Sequence, residues 1–456
     1  MHVPRPPQRR AFSIVVPDSM AGEATETEMN ECHELDASTA AALIRRGELS
    51  SQALVAACLT RIDARERETR AWQFLAREQA LAQAREADLR EARGALHGVP
   101  IAVKDVFDTF DMPTTLGSPI YTNRQPCWDA ACVAAVRAAG AIPLGKTVTT
   151  EFASYHPGKT RNPHDISRTP GGSSSGSAAA IADFMAPLAF GTQTAASVTR
   201  PAAFCGVIGY KATFGELSLS GVRPLAQSLD TLGVFARSVA DVALLRDVLL
   251  GVDPSPLPAL STPPRLGVCR TPAWPLAEPA MRDALEAAVE SLRHAGATVD
   301  EIELPEAFGA VTDAQQVIMT YETARNYVFE MTQRPDGLSA SFRAICDAGM
   351  RIERATYLDS VRRVAEAGRM LPDAMRDCDA LVTPATRGEA PPIDAGTGDP
   401  VMSRMWTALG TPTLAIPVRR TAGSLPLAIQ LVALLHADPR LLEVGAWAIS
   451  ILGRAV

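Results

Sequence analysis

Apolar residues recur along the chain with two different periodicities, and each predicts a different type of secondary structure. After Ser50, apolar residues recur at the spacing of an amphipathic helix, with Ser50 as its N-cap. The segment from Trp72 to Arg90 also predicts a helix. Short apolar runs predict buried strands instead, at 98–104, 141–146, 187–190, 265–269, 299–304, 379–384, 412–417 and 427–432. Strands that alternate with helices indicate an α/β protein.

A glycine- and serine-rich segment, residues 169–180, is followed closely by a second short loop, residues 191–202. Three interpretations of this pattern are open. The first is a flexible linker, although an alanine-rich helix start follows at once. The second is the nucleophile elbow of an α/β-hydrolase with Ser174 as the nucleophile, although that motif requires a preceding apolar strand and residues 162–170 have loop character. The third is a serine hydrolase in which a lysine replaces histidine as the base.

Lys104 ends the apolar run 99–103, where an ordinary surface lysine would be unusual. A serine hydroxyl becomes a good nucleophile when a base removes its proton, and a lysine can do so only as the neutral amine. Burial disfavours the ammonium form and lowers the pKa of a lysine from its usual value of about 10.4. Lys104 is therefore a candidate base. Its alternative role is a structural ion pair with the adjacent Asp105.

The Lys104 strand and the two serine-containing loops together resemble the amidase signature family of Ser-cisSer-Lys amidases, over about residues 43–446. The resemblance implies that Ser197 is the nucleophile, Ser173 the bridging serine and Lys104 the terminal base, with a cis peptide bond before Ser173. It also implies a single large α/β/α sandwich with a central mixed, mostly parallel-type β-sheet, over residues 34–456. Residues 306–377 would be its mostly helical, variable part, which covers the active site.

The resemblance also places an oxyanion hole in the turn before the nucleophile, at the backbone amides of Thr194, Ala195, Ala196 and Ser197. Here the chain departs from the common family pattern, which has glycines in place of the two alanines and an Asp and an Arg in place of Gln193 and Thr199. The variant is similar to malonamidase, whose arginine at the position of Arg200 holds a substrate carboxylate. Two roles therefore stay open for Arg200, carboxylate binding and structural hydrogen bonding.

Four side chains are candidate substrate contacts. Gln193 and Arg200 flank the nucleophile, and Tyr155 leads into the serine-rich loop, so we expect Tyr155 to line the acyl pocket. Trp406 is a candidate pocket wall, with a purely structural tryptophan as its alternative.

Composition narrows the classes of function. With 456 residues, 47% of them hydrophobic, the chain can bury a large core. A net charge of −7 without a basic stripe argues against a nucleic-acid partner, and no apolar run suggests a membrane span. The eight cysteines lack C-x-x-C spacing and the seven histidines lack a paired ligand motif, so we expect a cytoplasmic protein with neither metal nor cofactor. Residues 1–33 are polar and proline-rich, which predicts a disordered tail.

The resemblance thus predicts a serine hydrolase that cleaves C–N acyl bonds of a small-molecule amide through an acyl-enzyme on Ser197. Aryl amides, carbamates such as urethanes, and esters share the same tetrahedral geometry, and a homodimer is one option for its assembly. A second hypothesis is one component of a transamidation complex, which releases ammonia from glutamine and passes it to a partner synthase. An esterase that uses Ser174 and a non-catalytic scaffold are further alternatives.

Overall fold

The computed structural model describes residues 32–418 and 424–453. The predicted N-terminal tail lies outside the described residues except for Cys32 and His33, which belong to a 3-10 turn, Cys32–Glu34. Within the described ranges, no helix is both long enough and apolar enough to cross a membrane.

In the described chain, an eleven-stranded mixed sheet forms the centre of the molecule, in the order β1-β3-β2-β4-β6-β5-β10-β11-β9-β7-β8. The strands are Trp72–Leu75 (β1), Pro100–Lys104 (β2), Ile142–Thr147 (β3), Leu188–Gln193 (β4), Ile208–Lys211 (β5), Thr231–Ala236 (β6), Arg265–Val268 (β7), Thr298–Glu301 (β8), Ala380–Pro384 (β9), Thr413–Val418 (β10) and Leu427–Val432 (β11).

Parallel and antiparallel pairing occupy different parts of this sheet. β3, β2 and β4 pair in parallel, as do β9, β7 and β8. The β4–β6–β5–β10–β11–β9 centre and the β1 edge are antiparallel. The predicted α/β fold with a large mixed sheet is confirmed, but the expectation of mostly parallel pairing is wrong: of the ten described strand pairs, four are parallel and six antiparallel. One reason is that β5 and β6 are consecutive strands without an intervening helix, and such neighbours commonly pair antiparallel.

Helices flank the sheet. They are Ala37–Arg46 (α1), Ser51–Thr69 (α2), Arg77–Asp88 (α3), Ala131–Ala138 (α4), Ser175–Ala182 (α5), Thr199–Cys205 (α6), Val239–Leu250 (α7), Pro279–His294 (α8), Val311–Asn326 (α9), Val328–Gln333 (α10), Ala340–Arg351 (α11), Arg354–Met375 (α12), Val401–Ala408 (α13) and Asp438–Leu452 (α14).

The two faces of the sheet belong to different hydrophobic clusters. Along β2, Ile101 and Val103 point into a core with α4, α7, α8 and α14, whereas Ala102 points to the opposite side, into a core with α2, α5 and α6. This alternation is what a strand buried on both faces requires. The molecule is therefore an α/β/α sandwich.

Close packing of α5 against neighbouring backbone fixes the buried position of the serine-rich loop that precedes it. Every residue of α5 is buried, and a Cβ at Gly176 would lie 2.2 Å from the carbonyl oxygen of Ala71. Only glycine permits this approach, so Gly176 allows the start of the helix to lie directly against the backbone of Ala71 and Val148, next to β1 and β3.

The helix predicted from Trp72 is wrong at its start. Trp72–Leu75 is an edge strand that pairs with β3, and α3 begins only at Arg77. The helical spacing of the segment therefore belongs to its second part.

The segment from Glu306 to Met375 consists of a 3-10 turn, Glu306–Ala310, followed by α9 to α12 and a short 3-10 turn between α10 and α11. Of these, α9 contacts α11, α12 and α13 and brings Gln315 to the turn that follows β4. That this segment sets substrate choice stays a prediction.

Candidate active site

Lys104 is the last residue of β2, and its side chain is fully buried. Its Nζ lies 2.8 Å from Oγ of Ser173 and 2.7 Å from Oγ1 of Thr192. Burial lowers the pKa of Lys104 to about 7, against a smaller opposite effect of the Asp230 charge. An amine in this environment can be neutral near physiological pH, which is the state a general base requires.

The adjacent Asp105 does not serve as the partner of Lys104. Its carboxylate accepts hydrogen bonds from the backbone amide and the hydroxyl of Thr115, and it lies 3.6 Å from Nζ of Lys146. Among the described residues, no carboxylate forms an ion pair with Lys104. The alternative of a structural Lys104–Asp105 pair therefore does not fit the geometry.

Ser173 and Ser174 are neighbours with different surroundings. The Gly172–Ser173 peptide bond is cis, and Oγ of Ser173 is the atom that meets Lys104. Oγ of Ser174 lies 3.4 Å from both the backbone nitrogen and the carbonyl oxygen of Thr192, and the residue is fully buried. A nucleophile elbow exposes its serine, so the position of Ser174 does not match that motif.

Ser197 lies in a four-residue turn, Thr194 to Ser197, between the end of β4 and the start of α6. The residue is 7% exposed, and within the described part of the chain its hydroxyl makes no hydrogen bond. The hydroxyl is thus available to a ligand or to Ser173.

In the turn from Thr194 to Ser197, other described residues form hydrogen bonds with carbonyl oxygens but not with the amides. The carbonyl oxygens accept hydrogen bonds: Thr194 from Nε2 of Gln315 at 2.8 Å and Ala195 from Oγ1 of Thr407 at 2.7 Å. By contrast, none of the four amides, 194 to 197, donates to a described residue. Buried amides without acceptors are rare in proteins. An oxyanion that develops next to Ser197 would give these donors an acceptor.

The side chain of Gln193, just before the turn, binds the two residues that follow it. Its Oε1 accepts from the backbone amides of Val198 at 2.9 Å and Thr199 at 3.0 Å, and its Nε2 donates to Oγ1 of Thr407 at 3.0 Å. The side chain is fully buried, and its amide group is bonded to protein at both the oxygen and the nitrogen. The structure thus gives Gln193 a positioning environment and not an open face toward substrate.

Arg200 lies beneath the serine-rich loop and is 3% exposed. Its Nη2 donates to the carbonyl oxygen of Gly172 at 2.7 Å and to Oγ1 of Thr397 at 3.2 Å, and its Nη1 donates to the carbonyl oxygen of Gly398. Burial lowers its pKa to about 10. Of the two roles left open, these contacts match structural hydrogen bonding.

Tyr155 and Trp406 occupy different surroundings. Tyr155 is partly exposed and packs against a small apolar cluster that contains Ala195 of the turn. Trp406 is fully buried in another cluster, together with Phe308 and Leu371. The structure thus brings Tyr155 to the turn and places Trp406 in the core.

Two further side chains near the turn have no motif in the sequence that would single them out. Arg404 on α13 donates from Nη1 to Oε1 of Gln315 at 2.6 Å and from Nη2 to the hydroxyl of Tyr155 at 2.7 Å. Thr192 contacts Lys104 and sits on β4, where it is one position in a continuous buried strand.

A third side chain, Asp230, lies within the block 229–233 that continues the family resemblance, so a signal existed. It is buried and accepts from the hydroxyl of Thr194 and from the backbone amides of Leu225 at 2.7 Å and Ala226 at 3.0 Å. Burial raises its pKa to about 7. Together with Thr192, Thr194 and the 219–227 loop it lines a cavity of about 200 Å³.

The described residues contain no candidate metal-binding site. Among them, no three His, Cys, Asp or Glu residues come together in a way that would hold an ion.

A family model named Amidase matches residues 53–442, and the chain belongs to this family. It is therefore an amidase-signature serine hydrolase, a class of enzyme that acts on carbon–nitrogen bonds. The A subunit of the glutamyl-tRNA(Gln) amidotransferase of Chloroflexus aggregans is 35% identical, with 91% of this chain and 96% of the relative covered. The protein of the same name from Salinispora tropica is 35% identical, with 93% and 99% covered.

Solved structures show the same architecture. A structure described as a crystal structure of amidase has a TM-score of 0.85 at 32% identity and covers 92% of this chain and 100% of its own. A peptide amidase from Stenotrophomonas maltophilia has a TM-score of 0.78 at 30% identity, with 93% and 99% covered. The fold and the family predicted from the sequence are confirmed. The narrower similarity to malonamidase is not what these relatives' names indicate.

Proposed function

We propose that this protein hydrolyses the C–N acyl bond of a small-molecule amide through a covalent acyl-enzyme on Ser197. Lys104 is the base, Ser173 carries protons between Lys104 and Ser197, and the amides of residues 194 to 197 hold the oxyanion. The observation that carries this proposal is the buried Lys104 amine, which contacts the Ser173 hydroxyl and no carboxylate.

The proposed reaction has two halves. First, Oγ of Ser197 attacks the carbonyl carbon while its proton passes to Ser173 and the proton of Ser173 passes to the neutral Lys104. Collapse of the tetrahedral intermediate breaks the C–N bond, and the proton returns by the same path to the leaving amine. Water then attacks the ester, with the same groups removing its proton, and releases the acid and the Ser197 hydroxyl.

The turn supports the stabilisation of charge in this scheme. Its carbonyl oxygens are held by Gln315 and Thr407, which fixes the peptide planes so that the amides point away from those partners. Preorganised amides cost no reorganisation when the oxyanion forms, and losing one such donor typically costs about 10²- to 10³-fold in rate. Carbamates and esters develop the same oxyanion, so we expect them as secondary substrates.

Active-site labelling tests the nucleophile. A fluorophosphonate probe, followed by peptide mapping, should label Ser197 in the wild type and nothing in Ser197→Ala, whose amide turnover should fall by several orders of magnitude. Ser174→Ala is the matched control, and it should keep its label on Ser197. Label on Ser174, or full turnover by Ser197→Ala, would overturn the proposal.

A second candidate is the glutamine-hydrolysing component of a transamidation complex, with a protein partner that receives the ammonia. The names of the 35%-identical relatives favour it directly. The purified chain should then release ammonia from glutamine slowly, and the partner protein should accelerate that release. Fast turnover of simple amides by the chain alone, with glutamine no better than other primary amides, would favour the first candidate.

A further inference from the structure

Asp230 is a buried carboxylate beside the candidate site that the proposed reaction does not use. It is the residue before β6, and it is 6% exposed. Its Oδ1 accepts from the hydroxyl of Thr194, and its Oδ2 accepts from the backbone amides of Leu225 at 2.7 Å and Ala226 at 3.0 Å. Within the described ranges, no lysine or arginine forms an ion pair with it. A buried acid without a cation in contact is unfavourable, which points to a role beyond packing.

The sheet brings Asp230 and Lys104 to the same end of β4 from opposite sides. β4 pairs with β2, which ends at Lys104, and with β6, which begins one residue after Asp230. Because β4 is parallel to β2 and antiparallel to β6, the end of β2 and the start of β6 both lie near the end of β4. The turn that carries Ser197 begins at this end of β4.

Two threonines connect the ionisable groups to this end of β4. Oγ1 of Thr192 lies 2.7 Å from Nζ of Lys104, and the hydroxyl of Thr194 donates to Asp230. Thr192, Thr194 and Asp230 line the same cavity, of about 200 Å³. One residue separates the two threonines in sequence. Lys104 and Asp230 are therefore neighbours across the end of β4, although they form no direct ion pair.

The charges of the two groups act on each other. Burial lowers the pKa of Lys104, and the negative charge of Asp230 opposes that effect. Burial raises the pKa of Asp230, whereas the Thr194 hydroxyl and the two backbone amides favour its carboxylate form. Other ionisable groups face Asp230 from α9, from the residue after α9 and from the 219–227 loop, namely Glu322, Tyr327 and Arg223. Arg223 is already paired with Glu330 at 2.8 Å, so it is not a dedicated counter-charge for Asp230.

We propose that Asp230 is a positioning residue of the hydrolytic site, which holds the oxyanion turn through Thr194 and supplies a negative charge near Lys104. This inference rests on the proposed hydrolysis at Ser197. Thr194 provides the first amide of the turn, and its carbonyl oxygen is held by Gln315. The bond to Asp230 fixes the side chain of the same residue. Without it, the amides of the turn lose part of the preorganisation that stabilises an oxyanion.

Asp230→Asn tests the charge. Asparagine keeps the shape and an oxygen for the amides of the 225–226 segment, and it removes the negative charge. The ammonium form of Lys104 then loses a favourable interaction, so its pKa should fall. The acidic limb of the pH–rate profile, where kcat/KM rises with pH, should move to lower pH by about one unit. Steady-state kinetics on a non-ionising amide measure this shift.

Asp336→Asn is the matched control, because it removes the same charge from an exposed 3-10 turn between α10 and α11 and should leave the limb in place. The pH dependence of the rate at which a fluorophosphonate labels Ser197 reports the same limb without turnover, so a variant with low activity is still informative. An unmoved limb in Asp230→Asn, by both measurements, would overturn the charge role.

A second pair of variants tests the positioning of the turn while the carboxylate stays in place. Thr194→Val removes the hydroxyl that contacts Asp230 and keeps the backbone of the turn, so kcat should fall by about ten- to a hundredfold. Thr194→Ser keeps the hydroxyl and should retain more of the wild-type kcat than Thr194→Val. A wild-type kcat in Thr194→Val would overturn the positioning role.

Labelling separates this inference from the proposed function. A fluorophosphonate should still label Ser197 in Asp230→Asn and in Thr194→Val, which shows that the nucleophile and its base are intact. Label on Ser197 combined with an unmoved limb and an unchanged kcat would remove the role of Asp230 alone. Turnover by Ser197→Ala would instead overturn the hydrolytic mechanism, whatever Asp230 does.

Discussion

Desolvation of one amine governs the chemistry proposed here. Lys104 is fully buried, and the groups that surround its Nζ are the hydroxyls of Ser173 and Thr192. Hydroxyls stabilise an ammonium ion much less than a carboxylate does, so burial dominates and the pKa falls to about 7. The activity should therefore report the protonation state of this residue.

The first prediction concerns pH. With the pKa of Lys104 near 7, the amine is protonated and inactive at lower pH and neutral at higher pH. We expect kcat/KM to rise about tenfold per pH unit below 7 and to level off above it, because one proton must leave the free enzyme. A pH–rate profile on a non-ionising amide measures this. A profile that is flat from pH 5 to 7 would contradict the role of Lys104.

The second prediction concerns Thr192, whose Oγ1 lies 2.7 Å from the amine. Thr192→Val removes an acceptor that favours the ammonium form, so the pKa of Lys104 should fall and the acidic limb of the profile should move to lower pH. The plateau rate should fall as well, because the amine loses a contact that orients it toward Ser173. Thr192→Ser keeps the hydroxyl, so the acidic limb of its pH–rate profile should lie where it does in the wild type. An unmoved limb in Thr192→Val would show that Thr192 does not act on the amine.

Individual residues were predictable where a motif marked them. Lys104 stood out as a charge at the end of an apolar strand, and the serine-rich loops marked Ser173 and Ser197. Thr192 could not be predicted, because a threonine in a buried strand is common and its contact with Lys104 depends on the neighbouring strand. Arg404 could not be predicted either, since its partners come from distant parts of the chain.

At the level of elements, the turn after β4 is held by side chains from outside it. Gln193 caps the amides of Val198 and Thr199, and Thr407 of α13 binds both Gln193 and the carbonyl oxygen of Ala195. The free amides of the turn depend on this support, because a turn of small residues has little to fix it from within.

The third prediction tests that support. Gln193→Ala leaves the buried amides of Val198 and Thr199 and the Thr199 hydroxyl without their acceptor, and an unsatisfied buried group costs about 1–3 kcal/mol. Urea denaturation should show a loss of free energy of unfolding of that order, together with a lower kcat. Gln193→Glu keeps the acceptor for both amides and should lose less stability. If Gln193→Ala unfolds at the wild-type urea concentration, the capping role is wrong.

Elements were predictable where their hydrophobic pattern was continuous. The strands around Lys104 and at 412–417 follow from buried apolar runs, and the N-cap at Ser50 is confirmed by its bond to the amide of Ala53 at 3.0 Å. Trp72–Leu75 lacks a strand signal of this kind, because an edge strand with two exposed positions has no continuous apolar run. Its pairing with β3 decides its conformation.

At the scale of the whole molecule, the site assembles from parts that are far apart in sequence. Lys104 comes from β2, the turn from the end of β4, Gln315 from α9 and Arg404 from α13. The α/β class followed from the alternation of elements, but the order of strands in the sheet did not, because pairing between remote strands leaves no local signal. The residues that surround the turn could not be predicted for the same reason.

Arg200 joins three segments that are distant in sequence, and the fourth prediction concerns it. Its guanidinium connects α6 to the loop before Ser173 through Gly172 and to the 397–398 segment before α13. Arg200→Ala should leave buried carbonyl oxygens unsatisfied and lower the free energy of unfolding by about 1–3 kcal/mol, the cost of a buried polar group left without its partner. Because the loop that carries Ser173 loses its tether, kcat/KM should fall as well. Urea denaturation and steady-state kinetics on a simple amide measure both effects. Unchanged stability together with unchanged kcat/KM would show that Arg200 does not hold these segments in place.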